Sequence, residues 1–518
     1  MAVTSIGYQR LIDRYKLPAL PLTQVARIDT RVKSRKSQTD GTVEQLLFES
    51  QYAPEATFEG DLQFALRYEG VNLEVLALLF AQSGPQPLVT WLGALPESSY
   101  ARRAGFFYEW ITGTELDVPG LNTRTSYLSA LDESLQFGIG NTGEASRKFR
   151  VRNNLPGTRD FCPLVRKTPA LLEMERKDLR TRAQETLSRY DPNLIRRAAQ
   201  YLFLKETRSS YEVEREKPNP GRIQRFIDLL RTAEIGQPLS QERFVELQNA
   251  VIEPRWHEFA YRHRQSWVGA YHHNREVVDF VPPRPEDVLP LMAGLCGYSA
   301  RGRAAAKTGS AIDPVIHAVG VAFGFVFIHP FMDGNGRLHR YLIHEELSVL
   351  GFTPKGIALP VSAFILANVD QYIDALEQFS RPRLRRTDFD PQLPDIPARG
   401  NDPVYFRFFD ATLQAVFLYK ALERTVMTDL RDEIEYLIGL DRARAQLRDQ
   451  IDWPAQSLDL FINIVRQGGG TLSQTKRRSQ FDWMKDEEIE RFVPMVNEAF
   501  RAESAASPDH TPSDVNSI

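Results

Sequence analysis

From Ala318 to Ile328 the chain runs AVGVAFGFVFI, eleven residues without a polar side chain, and then breaks at once into His-Pro-Phe-Met-Asp-Gly-Asn-Gly-Arg. Crossing a bilayer takes ~20 such residues, so the run predicts a helix buried in a folded core. A second helix follows. RLHRYLIHEELSVL keeps helical spacing until Gly351, with Pro354 as a stop signal. Gly334 and Gly336 therefore flank Asn335 at a helix amino terminus. Unpaired N–H groups and the positive end of the helix dipole favour an anion there, and the missing side chains let its oxygens come close. Arg337 and Arg340 are three apart and share a face. Two guanidiniums over such a nest suit a polyphosphate better than a single carboxylate. Asp333, just before the nest, is the kind of lone carboxylate that holds Mg²⁺ together with phosphate oxygens and water. His329 suits a general base for an incoming hydroxyl, its ordinary pKa lying near 6.5. Phe331 reads as an apolar pin that fastens the loop to the core. Two other motifs fail on position. An EF-hand starting at Asp333 needs an acid where Arg337 stands and Gly where Leu338 stands, and a P-loop needs Gly-Lys-Ser/Thr, which is absent.

Composition narrows the partners. A net charge of -3 over 518 residues gives no global field for a polyanion, so nucleic acid is not an expected partner. Cys162 and Cys296 are too few and too far apart for a zinc tetrad or a disulfide framework, which fits a reducing compartment. The amino terminus, MAVTSIGYQRLIDRYKL, mixes charge with apolar residues and lacks the apolar core of a signal peptide. The expectation is a cytoplasmic protein with no membrane partner.

Along the chain, residues 1–50 are polar and basic in places and read as a loose arm with one short helix. Residues 62–80 have helical apolar spacing, whereas RAGFFYEWITGTEL, residues 103–116, is aromatic and β-branched as strands are. Residues 1–180 are thus a mixed α/β region closing in a turn-rich connection at 151–169. A helix opens at Asp191, a capping residue, with Pro192 at its first position. RQSWVGAYHHNREVVDFVPPRP (264–285) reads as a hairpin or flap closed by prolines, in which His272 and His273 form a polar turn or touch a partner. Residues 383–402 form a Pro-rich charged linker, 403–500 are helical again, and 501–518 are polar and expected to be disordered. The basic cluster Lys476-Arg477-Arg478 reads as a solvated face.

HPFMDGNGRLHR, residues 329–340, matches the signature HxFx(D/E)GNGRxxR, and the chain is on this ground similar to the Fic family, whose usual reaction transfers AMP from ATP to a protein hydroxyl. The resemblance implies that His329 is the general base and that Asp333 holds Mg²⁺ on the phosphates. It implies further that Gly334, Asn335 and Gly336 form the anion nest and that Arg337 and Arg340 hold the phosphate tail. A branch of the family that transfers a terminal phosphate has Lys where Gly336 stands, so Gly336 favours AMP transfer. The buried helix at 313–328 and the flap with its following VPP…P…V..LM helix extend the resemblance to about 190–382. The fold it implies is mainly α: a Fic-type helical core with a β-hairpin flap, after the mixed N-terminal region and before a C-terminal helical domain. The expected partner is a target protein presenting Ser, Thr or Tyr, with a homodimer admitted as an option.

Many members of the family carry an inhibitory helix, S/T-x-x-x-E-G/N, whose Glu pairs with the second motif arginine. SSYEVER supplies Ser210 and Glu214 at that spacing, within a helix expected at 192–217, but Arg215 stands where the family has Gly or Asn. A carboxylate near Arg340 would form a charged pair inside a phosphate site, and ATP would bind productively only once it swings away. ALRYEG (65–70) is a weaker rival, because Ala65 replaces the Ser or Thr. His339 and His344, on the helix after the nest, read as structural. Removal of AMP by the same residues, and a nucleotide-sensing protein acting through its C-terminal helices, are the alternative functions.

Overall fold

The computed structural model describes residues 3–40, 43–122, 124–140, 144–272, 275–310, 312–393, 396–454 and 456–501. His273 and the expected disordered tail after Arg501 lie outside the described residues. The first fifty residues differ from the loose arm expected. Strands β1 (Thr4–Ser5), β2 (Gln24–Ile28), β3 (Lys36–Asp40) and β4 (Val43–Phe48) form one sheet in the order β1-β2-β4-β3, with β2 parallel to β4 and helix α1 (Tyr8–Tyr15) inserted after β1. Ala26, Ile28, Leu46 and Phe48 pack a small core on Phe64 of α2 (Phe58–Tyr68). The polar, basic stretch that reads as a loose arm includes β3, whose residues are all exposed at the sheet edge, where charge and polarity discourage further pairing.

Helices α3 (Leu73–Ser83), α4 (Gln86–Ala94) and α5 (Ser99–Thr112) complete this unit. The strand expected at 103–116 is instead most of α5. Ser98 caps its start, Gly113 at φ 71° ends it, and Phe106, Phe107, Tyr108 and Ile111 are buried along it. Burial of those side chains outweighs their modest preference for strands. Three two-residue strands follow, β5 (Leu128–Ser129), β6 (Ala145–Ser146) and β7 (Val151–Arg152), then α6 (Pro169–Arg176) and α7 (Leu179–Ser188).

The helical core consists of α8 (Pro192–Val213), α9 (Pro220–Thr232), α10 (Gln241–Val251), the hairpin β8 (Val268–His272) and β9 (Arg275–Phe280), α11 (Pro285–Lys307), α12 (Pro314–Ile328), α13 (Asn335–Val349), α14 (Val361–Ala367) and α15 (Val369–Leu384). The run that ends in His-Pro-Phe is α12, buried at every residue but Pro314 and Val326. Asp313 caps it, accepting from the N–H groups of Val315 and Ile316. The described residues from Val404 to Arg501 form helices joined by loops, and their core is continuous with that around α12.

Pro382 does not end α15, which runs through it to Leu384. Buried Arg383 ties this end down, donating to the carbonyls of Phe379 and Tyr405, with its guanidinium 3.5 Å from the Phe379 ring centroid. The expected linker is not free chain either: Asp388 bridges to Arg399, and buried Ala398 and Asn401 bond to Gln265 and to the Pro282 carbonyl beside the hairpin. Among the described residues no helix is long and apolar enough to cross a membrane.

Candidate active site

Helix α12 stops because His329 turns left-handed, at φ 52° and ψ 60°, which few residues other than Gly adopt and which His, Asn and Asp tolerate best. The turn swings the imidazole out of the helix. Its Nδ1 lies 3.3 Å from the Val326 carbonyl, so the N–H is placed on Nδ1 and Nε2 keeps its lone pair. Burial, reinforced by the charge of Arg262, pushes the His329 pKa down to about 4. The ring is therefore neutral at pH 7, the state a general base requires.

The loop that follows is held from inside. The Asn335 side chain accepts from Phe331 N–H at 3.1 Å and donates to Phe331 O at 2.7 Å, so it shapes the nest rather than offering itself to a ligand. Phe331 is fully buried, edge-on to Tyr261 at 5.6 Å. Gly334 has φ 89°, and no side chain caps α13, which leaves the first N–H groups of that helix for an outside acceptor. Asp333 accepts from Gly334 N–H at 2.6 Å and from Arg337 at 3.2 Å, yet its side chain is 59% exposed. Among the described residues no cluster of three or more acidic, His or Cys side chains can hold a metal. One open carboxylate next to the nest could hold a Mg²⁺ whose other ligands are phosphate oxygens and water.

Both motif arginines are buried, and acids from the end of α8 neutralise them. Arg340 donates to Ser210 Oγ and Ser210 O, both at 2.8 Å, and to Glu214 Oε1 at 2.9 Å. Arg337 meets Glu216 at 3.1 Å and lies over the Tyr211 ring. Burial alone would raise the Glu214 carboxyl, but Arg340, with Arg337 and His329 behind it, holds it below the usual carboxylate range. Glu214 also lies across Gly336, where a Cβ would stand 2.1 Å from its Oε1. The nest and the carboxylate thus occupy one space.

Residues 238–347 match the Fic/DOC family. The chain carries a Fic/DOC-family domain. Over 78 residues it is 36% identical to "Protein adenylyltransferase Fic" of Nematostella vectensis, covering 15% of this chain and 17% of that protein. Over 94 residues it is 32% identical to the protein of the same name from Drosophila willistoni, covering 18% of this chain and 16% of the relative. The chain therefore spans about a sixth of the length of these curated relatives. A Fic domain containing signaling protein from Bacteroides thetaiotaomicron is similar at 18% identity and a TM-score of 0.36, over 50% of this chain and 95% of that one.

The structure brings Ser210 and Glu214, which precede the matched residues, together with His329, Asp333 and the two arginines inside them. It also explains Arg215. This residue has φ 56°, its N–H donates to Glu212 O at 2.9 Å, and Glu216 N–H donates to Tyr211 O at 3.0 Å. That is the Schellman ending of a helix, which wants Gly or Asn at the left-handed position. Arg215 adopts that left-handed position at a cost in strain.

Three features escaped sequence reading. Glu216 reads as one solvated acid among several, yet it bridges Arg337 and Arg222. Glu206 of α8 is another: it pairs at 2.9 Å with His344, buried as its structural reading expects, and also accepts from Ser362. The spacing of Glu206, Ser210 and Glu214, four apart on one helix face, was the available signal. Arg262 has no sequence signature beyond its place before the flap. His339 is core, its Nδ1 2.8 Å from the Ala322 carbonyl.

Proposed function

We propose that this chain is a protein adenylyltransferase held in check by its own α8. A target Ser, Thr or Tyr oxygen attacks the α-phosphorus of ATP, the new O–P bond forms as the bond to the β-phosphate oxygen breaks, and pyrophosphate leaves. His329 Nε2 takes the hydroxyl proton. Arg337, Arg340 and the N–H groups at the start of α13 hold the phosphates, and Asp333 would hold Mg²⁺, which supplies charge neutralisation to the departing pyrophosphate. The observation that carries this reading is two buried guanidiniums aimed at an uncapped helix start, with Glu214 and Glu216 where anionic oxygens would otherwise lie. Inhibition follows from the same contacts, because ATP must displace both carboxylates. The partners in this reading are ATP and a target protein in the cytoplasm.

Purified Glu214→Gly protein with α-labelled ATP tests it. Auto-labelling should rise over wild type and vanish when His329→Ala is added. Equal labelling with and without His329 refutes the assignment of the base. A second reading, removal of AMP with Glu214 orienting the attacking water, is favoured by the nearness of Glu214 to His329, whose protonation it influences. A pre-modified target that loses AMP on wild type but not on Glu214→Gly supports it.

A further inference from the structure

Arg262 lies between α10 and the hairpin and is 3% exposed. Among the described residues no carboxylate is within ion-pair distance of it. Its partners are main-chain carbonyls instead. Nε donates to His329 O at 2.8 Å and its backbone N–H to Pro330 O at 2.8 Å, with Ile328 O at 3.5 Å from Nη2. These belong to the carboxyl end of α12 and the turn after it, where unpaired carbonyls and the negative end of the dipole welcome a cation. The guanidinium then reaches the other way. Nη2 donates to Pro283 O at 2.6 Å and Nη1 to Arg264 O at 3.0 Å. Arg264 stands just before β8 and Pro283 just after β9, so these are the two chain segments that enter and leave the hairpin. Gln265 cross-links the same base, donating to Ser266 O and Pro282 O at 3.1 Å each and accepting from Ala398 N–H.

We infer that Arg262 is a positioning residue that couples the flap to the catalytic turn, fixing the strand that would align a target against the histidine that would deprotonate it. One planar side chain bonds both parts, so a shift of the hairpin base moves the His329 carbonyl with it. The five N–H groups of a guanidinium make this possible, and the three-donor ammonium of lysine on a flexible stem cannot span both sets of carbonyls. ATP is held elsewhere, by α13 and Asp333, and the clamp touches neither. The inference rests on the adenylyltransferase reading for its consequence in rate, and on geometry alone for its consequence in flap motion.

The test uses the full chain carrying Glu214→Gly, with and without Arg262→Lys. Single-turnover auto-labelling from α-labelled ATP should fall by about tenfold or more, since misplacing a base by a fraction of an ångström has effects of that order. ATP affinity by calorimetry should stay within about twofold. Amide exchange in Val268–His272 and Arg275–Phe280 should quicken by about fivefold or more. Unchanged labelling, unchanged flap exchange, or ATP affinity falling in step with the rate each overturns the inference. Gln265→Met, which loosens the hairpin base and leaves the Arg262 clamp intact, guards against a misfolded Lys variant. It should raise flap exchange and slow labelling together, and faster exchange with undiminished labelling overturns the coupling. If Glu214→Gly takes no label at all, the adenylyltransferase reading fails, while the exchange comparison still decides the clamp.

Discussion

Replacing Arg215 with glycine should make the protein less active, although the residue touches neither arginine of the motif. Arg215 is left-handed at φ 56° between Glu214 and Glu216, the two acids that occupy Arg340 and Arg337. A non-glycine residue there costs about 1 kcal/mol. The strain is present while the Schellman ending of α8 is intact and is relieved when that ending opens to release the acids. Glycine removes it, and its greater freedom in the released chain returns part of the gain, so the inhibited state should be favoured by about 0.5–1 kcal/mol. That is roughly a two- to fivefold drop in basal auto-labelling at subsaturating ATP. Arg215→Val, β-branched and poorer in this conformation, should shift the rate the other way. Thermal melts of both variants separate a change in the latch from general destabilisation. If Arg215→Gly labels as fast as wild type and Arg215→Val does too, the acids leave without opening the helix end, and the strain has no regulatory part.

Glu216→Gln keeps the shape of the contact with Arg337 but removes its charge; in the Glu214→Gly background it should tighten ATP binding about two- to fivefold by calorimetry, as loss of a partly exposed pair allows, and unchanged affinity would show that Glu216 does not compete with phosphate. Stability should depend on pH with a defined sign. Burial raises Glu69 to about 8 and Glu345 to about 7, so the folded state binds these protons more tightly than the unfolded chain, and their contribution is lost as pH rises towards 8. Burial lowers His329 and His339 to about 4, which opposes protonation below their ordinary value and costs stability as pH falls towards 4. Tm should therefore peak in mild acid and fall on both sides, and Glu345→Gln should flatten the limb between pH 6 and 8; a wild-type Tm still rising at pH 8 contradicts the assignment of these carboxyls.

Features fixed by neighbours in sequence were legible before the structure. Asp191 and Asp313 cap the helices they precede, accepting from N–H groups two or three residues on; Gly334 marks the start of α13 through its left-handed backbone, and Gly336 through the side chain it lacks. The motif is likewise local, and its residues fall within one turn of a loop and one helix. What sequence could not supply depends on contacts between distant segments. The sheet of β1 to β4 is built from short strands whose apolar residues gain a purpose only against Phe64, and α5 becomes a helix because its aromatics are buried, against their own preference. Glu216, Glu206 and Arg262 look like ordinary surface charges until the chain brings each within reach of a partner more than sixty residues away, Arg337, His344 and His329 in turn. The departure at Arg215 was visible, but its meaning depended on a backbone angle.

The most direct test of the central claim compares α-labelled with γ-labelled ATP on Glu214→Gly protein, with His329→Ala in that background as control. Retained α-label, no γ-label and no labelling without His329 are the result that AMP transfer by this site predicts. Retained γ-label, or α-label that survives the loss of His329, would contradict it.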